Sequence, residues 1–129
     1  MNLPEIEPLT HKVIGCAMAV QKALGNGFEE IIYKRALAIE FGFQGIRNSQ
    51  SLEMNLFYRD ELIGSRPLDF LVEDVLMLEV KAEEQLLEGH KAQAINYCEA
   101  YNLSDGLLIN FGAKSLEFKR VYNKYLKVK

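Results

Sequence analysis

Apolar residues recur at helical spacing in the first third of the chain, alternate in twos through the middle, and regain helical spacing before two short runs near the end. In the first stretch Leu9, Val13, Ala17, Val20 and Leu24 share a stripe. With Thr10 as N-cap and Gly25 as stop, they predict a helix over about residues 10–24. A Gly25-Asn26-Gly27 turn leads to Phe28, and Ile32, Ala36 and Ile39 predict a second amphipathic helix closing at Gly42. From Ser49 the period is two, with Leu52, Met54, Leu56 and Tyr58 alternating against Glu53, Asn55 and Phe57, the pattern of a strand. Arg59-Asp60-Glu61 turns the chain into a second strand, interrupted at Gly64 and Pro67 and reaching Val72; a third runs from Leu76 to Ala82. Pro67 has no N–H for a ladder, so an irregularity is expected there. Glu84 to Tyr101 is helical again, with Leu87, Ala94 or Ile95, and Cys98 on one stripe and His90, Gln93 and Tyr97 on another. Leu107 to Phe111 reads as a buried strand beside the third, and Leu116 to Tyr122 as an edge strand. The order ααβββαββ predicts a mixed α+β (α/β) fold over residues 1–129, one domain with helices packed on a mixed sheet.

Charges break this pattern most sharply between residues 66 and 81, where Asp69, Glu79 and Lys81 interrupt two apolar runs. Strand alternation puts Glu79 and Lys81 on one face with Val75 and Met77, and Leu76, Leu78, Val80 and Ala82 on the other. On the preceding strand Leu68, Phe70 and Val72 share a face, with Asp69 opposite. Register decides whether the carboxylates meet. A two-residue loop at Glu73-Asp74 would pair Phe70 with Met77 and turn Glu79 to the apolar side. A loop of Glu73 to Val75 pairs Val72 with Leu76, Phe70 with Leu78 and Leu68 with Val80, which leaves Asp69 opposite Glu79; this odd register is the expected one.

Such a pair offers hard oxygen ligands of the kind Mg²⁺ accepts beside waters and phosphate oxygens. Lys81, on the same face, could orient an attacking water or stabilise charge on a phosphate. The competing account is a surface hairpin with solvated charges. Gln93 and Tyr97, at i and i+4, could point at the same phosphate, while His90 one turn earlier reads as structural. Glu30 is favoured near a helix N-terminus and can pair with Lys34 at i+4. The sequence holds no Gly-rich phosphate loop, no paired-Cys zinc spacing and no Ser-His-Asp set.

Composition narrows the setting. The chain has 129 residues, 49% of them hydrophobic and 26% charged, enough for a buried core. It has no apolar run long enough to span a membrane. The N-terminus lacks a signal pattern and Cys16 and Cys98 lie in apolar-periodic segments, so a cytoplasmic protein with two reduced thiols is expected. The net charge of −3 hides an asymmetry: residues 113–129 balance to +5 and the remainder to −8. Lys114, Lys119, Arg120, Lys124, Lys127 and Lys129 could form a phosphate-facing patch on an acidic protein, or a solvated tail.

With Gly27-x2-Glu30-x2-Tyr33, Asp69, Glu79-Val80-Lys81 and Gln93-x2-Asn96-Tyr97 in this order, the chain resembles the GxxExxY family. Leu107 to Gly112 and Lys119-Arg120 add to the resemblance, which covers nearly the whole chain. That family is placed in the PD-(D/E)xK nuclease superfamily, which implies a restriction-endonuclease-like αβββαβ core. The Gln-x3-Tyr pair also resembles the helix motif of RecB-type exonuclease domains. The resemblance implies that Asp69 and Glu79 hold a divalent metal with the Val80 carbonyl as a further ligand, and that Lys81 serves the attacking water. It implies that Glu30 supports the metal or its waters, that Gln93 contacts the substrate or metal side, and that Tyr97 braces it. Pro67-Leu68-Asp69 departs from a strict Pro-Asp pair, a change in a turn residue rather than a reagent. The expectation is a Mg²⁺- or Mn²⁺-dependent nuclease cleaving DNA phosphodiesters, with a nucleic-acid-binding or regulatory module without useful turnover as the rival. A homo-oligomer stays open.

Overall fold

The computed structural model describes residues 4–126. Its elements follow the order ααβββαββ: α1 (Ile6–Leu24), α2 (Glu30–Gln44), β1 (Asn48–Tyr58), β2 (Glu61–Val72), β3 (Leu76–Lys81), α3 (Glu88–Tyr101), β4 (Asp105–Asn110) and β5 (Glu117–Tyr122). The strands form one mixed sheet in chain order, antiparallel except where β4 lies parallel to β3.

Helix α1 starts a turn earlier than expected. Glu5 is its N-cap, Pro8 sits in the first turn where no N–H is missed, and Thr10 lies inside the helix with its hydroxyl donating to the Ile6 carbonyl at 2.8 Å. Gly25 ends it, with φ 70°. Helix α2 runs past Gly42 to Gly45, which takes the left-handed conformation (φ 68°) that glycine supplies without strain. Its inward stripe is Tyr33, Leu37 and Phe41 rather than Ile32, Ala36 and Ile39, and Ile39 is 63% exposed. In α3, which begins at Glu88 rather than Glu84, Leu87 is exposed and Ala94, Tyr97 and Cys98 face inward.

Both sheet faces are covered. On one side α1 and α2 pack Val13, Ala17, Tyr33, Leu37 and Phe41 against Phe70, Val72, Leu76, Leu78, Val80, Leu107 and Ile109. On the other, Ala94, Tyr97 and Cys98 of α3 meet Met54, Leu68, Met77 and Val121. The central strands β3 and β4 are therefore buried from both sides, which is why they read as apolar runs, broken in β3 only by Glu79 and Lys81.

The β2–β3 loop is the three-residue one, Glu73 to Val75, with Val72 paired to Leu76 and Phe70 to Leu78. Glu73 and Asp74 both take positive φ (50° and 62°), and Glu73 is anchored there by the Arg47 backbone and guanidinium. Two expectations for β2 need correction. Pro67 pairs regularly with Glu53; the register shift lies between Leu56 and Phe57, opposite the Leu62–Gly64 segment. Leu68 does not share a face with Phe70 and Val72 but packs beneath α3. The alternation fails because Ser51, at φ 55°, and Asp69 drop out of the ladder between the pairs Gln50–Phe70 and Leu52–Leu68. The β1–β2 hairpin then continues beyond the rest of the sheet to a two-residue Arg59-Asp60 turn, where both residues have positive φ as a type I′ turn requires. Among the described residues no helix is long and apolar enough to cross a membrane.

Candidate active site

Past Phe70–Leu78 the β2–β3 ladder stops, so the expected Leu68–Val80 pair does not form, and two carboxylates replace its backbone bonds. The Asp69 N–H donates to Glu79 Oε1 at 3.2 Å, and the Val80 N–H donates to Asp69 Oδ2 at 2.8 Å. Asp69 and Glu79 thus meet as the odd register requires, each held by the other's strand. Pro67, two residues before Asp69, leaves no unpaired N–H at this open edge, and its carbonyl accepts the Tyr97 hydroxyl at 3.2 Å.

Helices close the edge from both sides. From α3, Gln93 Oε1 accepts a hydrogen bond from Lys81 Nζ at 3.1 Å. From α2, Lys34 Nζ lies 2.6 Å from Asp69 Oδ1 and 3.1 Å from Glu30 Oε2, so Glu30 reaches the site through an ion pair rather than directly. Asp69, Glu79, Lys81, Gln93, Tyr97, Glu30 and Val80 therefore converge on one end of the sheet. His90 does not join them: its Nδ1 accepts the Leu87 N–H at 3.0 Å, closing the first turn of α3.

Burial sets the electrostatics. Glu79 is 4% exposed, and burial first, then the Asp69 charge, pushes its carboxyl up to about 7, against the relief given by the Asp69 N–H, Lys81 and Lys34. Burial pulls the Lys34 ammonium down, but its hydrogen bond and charge interaction with Asp69, followed by those with Glu30, outweigh that and leave it raised. Burial and then the Glu79 charge raise the Tyr97 phenol.

Three contributors escape a reading by spacing alone. Lys34 pairs with Glu30 at i+4, but nothing in the sequence says that it spans to β2. Arg66 lies with its guanidinium carbon 5.2 Å from the centroid of the Tyr97 ring, its buried Nε without a partner. Asn110 is fully buried and ties the segment after β3 to the end of β4: its Oδ1 accepts the Glu83 and Gly112 N–H groups, and its Nδ2 donates to the Glu83 carbonyl and to Glu117 Oε1. Gly112 is required beside it, because a Cβ there would run into the Ala82–Glu83 backbone.

A family model described as the PD-(D/E)XK nuclease superfamily matches residues 7–121. The chain belongs to the PD-(D/E)XK nuclease superfamily. The match runs from α1 to β5, and the mixed sheet flanked by helices is consistent with the restriction-endonuclease-like fold of that superfamily. No curated protein matches the chain. The crystal structure of SSO0001 is similar to it over 89% of this chain and 78% of that one, at 10% identity and a TM-score of 0.48, a likeness too slight to argue from. Membership of the PD-(D/E)XK superfamily points to a nuclease with nucleic acid as substrate. Among the described residues no three His, Cys, Asp or Glu side chains converge as a metal-binding group. In this superfamily member the donors that do converge are two carboxylates, with Glu30 one ion pair away.

Proposed function

We propose that the chain is a divalent-metal-dependent nuclease acting on DNA, within the GxxExxY group of its superfamily. The observation that carries this reading is the reciprocal hold of Asp69 and Glu79 at the open end of the β2–β3 ladder. Two carboxylates suit Mg²⁺ or Mn²⁺, ions that keep several waters and take phosphate oxygens as further ligands. Asp69 and Glu79 would hold the ion with the Val80 carbonyl, which should face the same way as the Val80 N–H that reaches Asp69. Once bound, the ion supplies positive charge to a phosphate and lowers the pKa of a coordinated water.

The other residues divide the remaining work. Lys81 would orient the attacking water and offset charge building on the phosphate, and Gln93 holds that ammonium in place. Tyr97 would brace β2 beside Asp69 through the Pro67 carbonyl. Glu30 would act through Lys34 or, once Lys34 moves, on the waters of the ion. The GxxExxY placement is supported by what its residues do: Gly27 adopts φ 110°, and Tyr33 donates to the Gly25 carbonyl, accepts the Phe28 N–H and stacks on Phe111 at 4.6 Å. The two core clusters share one sheet, which supports one domain over residues 1–129, and the buried free thiols Cys16 and Cys98 suit a reducing cytoplasm.

Labelled linear, circular, single- and double-stranded substrates incubated with Mn²⁺, with Lys81→Ala as control, test the reading. Mn²⁺-dependent cleavage that the control lacks is the expected result. Binding without cleavage by the folded parent would instead favour the nucleic-acid-binding module, for which the engagement of Asp69 by Lys34 speaks.

A further inference from the structure

Both oxygens of Asp69 are engaged, but by partners of different kinds. Oδ2 takes the Val80 N–H and so helps join β2 to β3, whereas Oδ1 takes a mobile type of group, the Lys34 ammonium at 2.6 Å. The same ammonium lies 3.1 Å from Glu30 Oε2. Lys34 therefore stands where positive charge is wanted by Glu30 of α2 and by Asp69 of β2. A divalent ion approaching Asp69 from the open side meets a cation already in contact with the oxygen it needs, and two cations at such a separation repel.

We infer that Lys34 is an internal counter-ion that competes with the divalent cation for Asp69 Oδ1 and leaves it when the cation binds. The inference rests on the metal reading proposed above. Its flexible four-carbon stem lets the ammonium withdraw without any shift of α2, so displacement requires rotamer changes only. Two effects of opposite sign follow. Lys34 stabilises the metal-free fold by neutralising two carboxylates, and it weakens metal affinity by the free energy of that same pairing. A purely structural lysine would behave differently, since its loss would weaken folding and metal binding together.

Titration calorimetry of Mn²⁺ into the whole chain, without nucleic acid, compares the parent with Lys34→Met and Lys34→Arg. Melting of each protein in EDTA and in excess Mn²⁺ accompanies it. Lys34→Met is expected to bind Mn²⁺ at least about tenfold more tightly, to melt lower than the parent in EDTA, and to gain more from Mn²⁺. Lys34→Arg, which keeps the charge, should stay near the parent. Unchanged or weaker affinity in folded Lys34→Met overturns the role of Lys34 while leaving the metal site standing. Absence of Mn²⁺ binding at millimolar concentration in both proteins overturns the metal reading and this inference with it. If Lys34→Met does not fold, Lys34→Gln, which retains a donor for Asp69 without the charge, makes the same comparison.

Discussion

Glu79 and Asp69 face the same crowding but resolve it differently. With Lys34 at 2.6 Å, Asp69 has a cation in contact, while Glu79 has only the Asp69 N–H and cations that act at a distance. Burial, and then the Asp69 charge, raise the carboxyl of Glu79 from its ordinary 4.5 to about 7. Between those values the folded protein holds a proton that the unfolded chain has released, so stability falls as pH rises through this window. The penalty is absent below about pH 4.5 and complete above about pH 7, where it amounts to roughly 3 kcal/mol. Glu79→Gln keeps an acceptor for the Asp69 N–H but removes the charge. In EDTA it should be more stable than the parent by up to about 3 kcal/mol at pH 8, with the gap closing towards pH 5. Urea unfolding across that range measures it; a constant gap would assign the proton uptake to another group. Loop length was enough to bring Asp69 opposite Glu79, and alternation within β3 to set Lys81 beside Glu79, because both act within one hairpin; alternation along β2 breaks at Asp69 itself. Lys34 was not legible as a partner of Asp69, since its reach depends on how α2 lies over the sheet. Gln93 was legible only as a helix face, and its contact with Lys81 now gives a sharper expectation. Gln93→Ala should lower the cleavage rate by up to about 10²-fold through misplacement of the ammonium, and Lys81→Ala by more. Neither change should weaken Mn²⁺ binding, and calorimetric loss of Mn²⁺ affinity in folded Gln93→Ala would mean that it serves the ion instead.

Among the elements, errors of reading cluster where neighbouring apolar residues offer two stripes. Helix α2 contains Ile31, Ile32, Tyr33, Ala36, Leu37, Ala38 and Ile39, so periodicity alone allows two inward faces one residue apart. Tyr33 decides between them, through its hydroxyl on the Gly25 carbonyl and its ring on Phe111. Thr10 misled for a related reason: a hydroxyl one turn into a helix can bond back to the i−4 carbonyl as readily as it caps. Leu68 misled because a strand residue at positive φ, Ser51, lies in the neighbouring strand and carries no sequence signal of its own. Strands β3 and β4 were legible throughout, being buried on both faces. What holds their far ends in register is Asn110, which satisfies two N–H groups and a carbonyl of the loops around it. Asn110→Ala would strand those groups in a buried place and should destabilise the protein by about 3 kcal/mol or more. Urea denaturation checks this; a loss under about 1 kcal/mol would show that water takes over the role of the amide.

At the scale of the whole molecule, the basic C-terminal stretch divides by position rather than acting as one patch. Strand β5 runs antiparallel to β4, so Glu117 lies beside Asn110 and the Lys81 end of the sheet, while Tyr122 lies beside Asp105 and the Leu76 end. Arg120 is committed to an ion pair with Glu7 in the first turn of α1. Lys124 follows β5 at the Leu76 end, about 17 Å along the strand direction from Lys81 by strand rise. Lys114 is exposed in the loop beyond β4, two residues after Gly112, which lies against the Ala82–Glu83 backbone that follows Lys81. Lys127 and Lys129 lie outside the described residues. A nucleic acid whose scissile phosphate sits at Asp69 and Glu79 should therefore run over Lys114 before it reaches Lys124. Each phosphate neutralised by a lysine contributes about 0.9 to the slope of log affinity against log salt on duplex DNA, and exposed charges more than about 10 Å from the path are largely screened. Lys114→Gln should flatten that slope by about 0.9, while Lys124→Gln leaves it unchanged. Duplex binding measured in EDTA, so that no cleavage intrudes, between 50 and 200 mM salt reads the difference. If Lys124→Gln flattened the slope and Lys114→Gln did not, the duplex would lie across the Leu76 end of the sheet, away from the carboxylates.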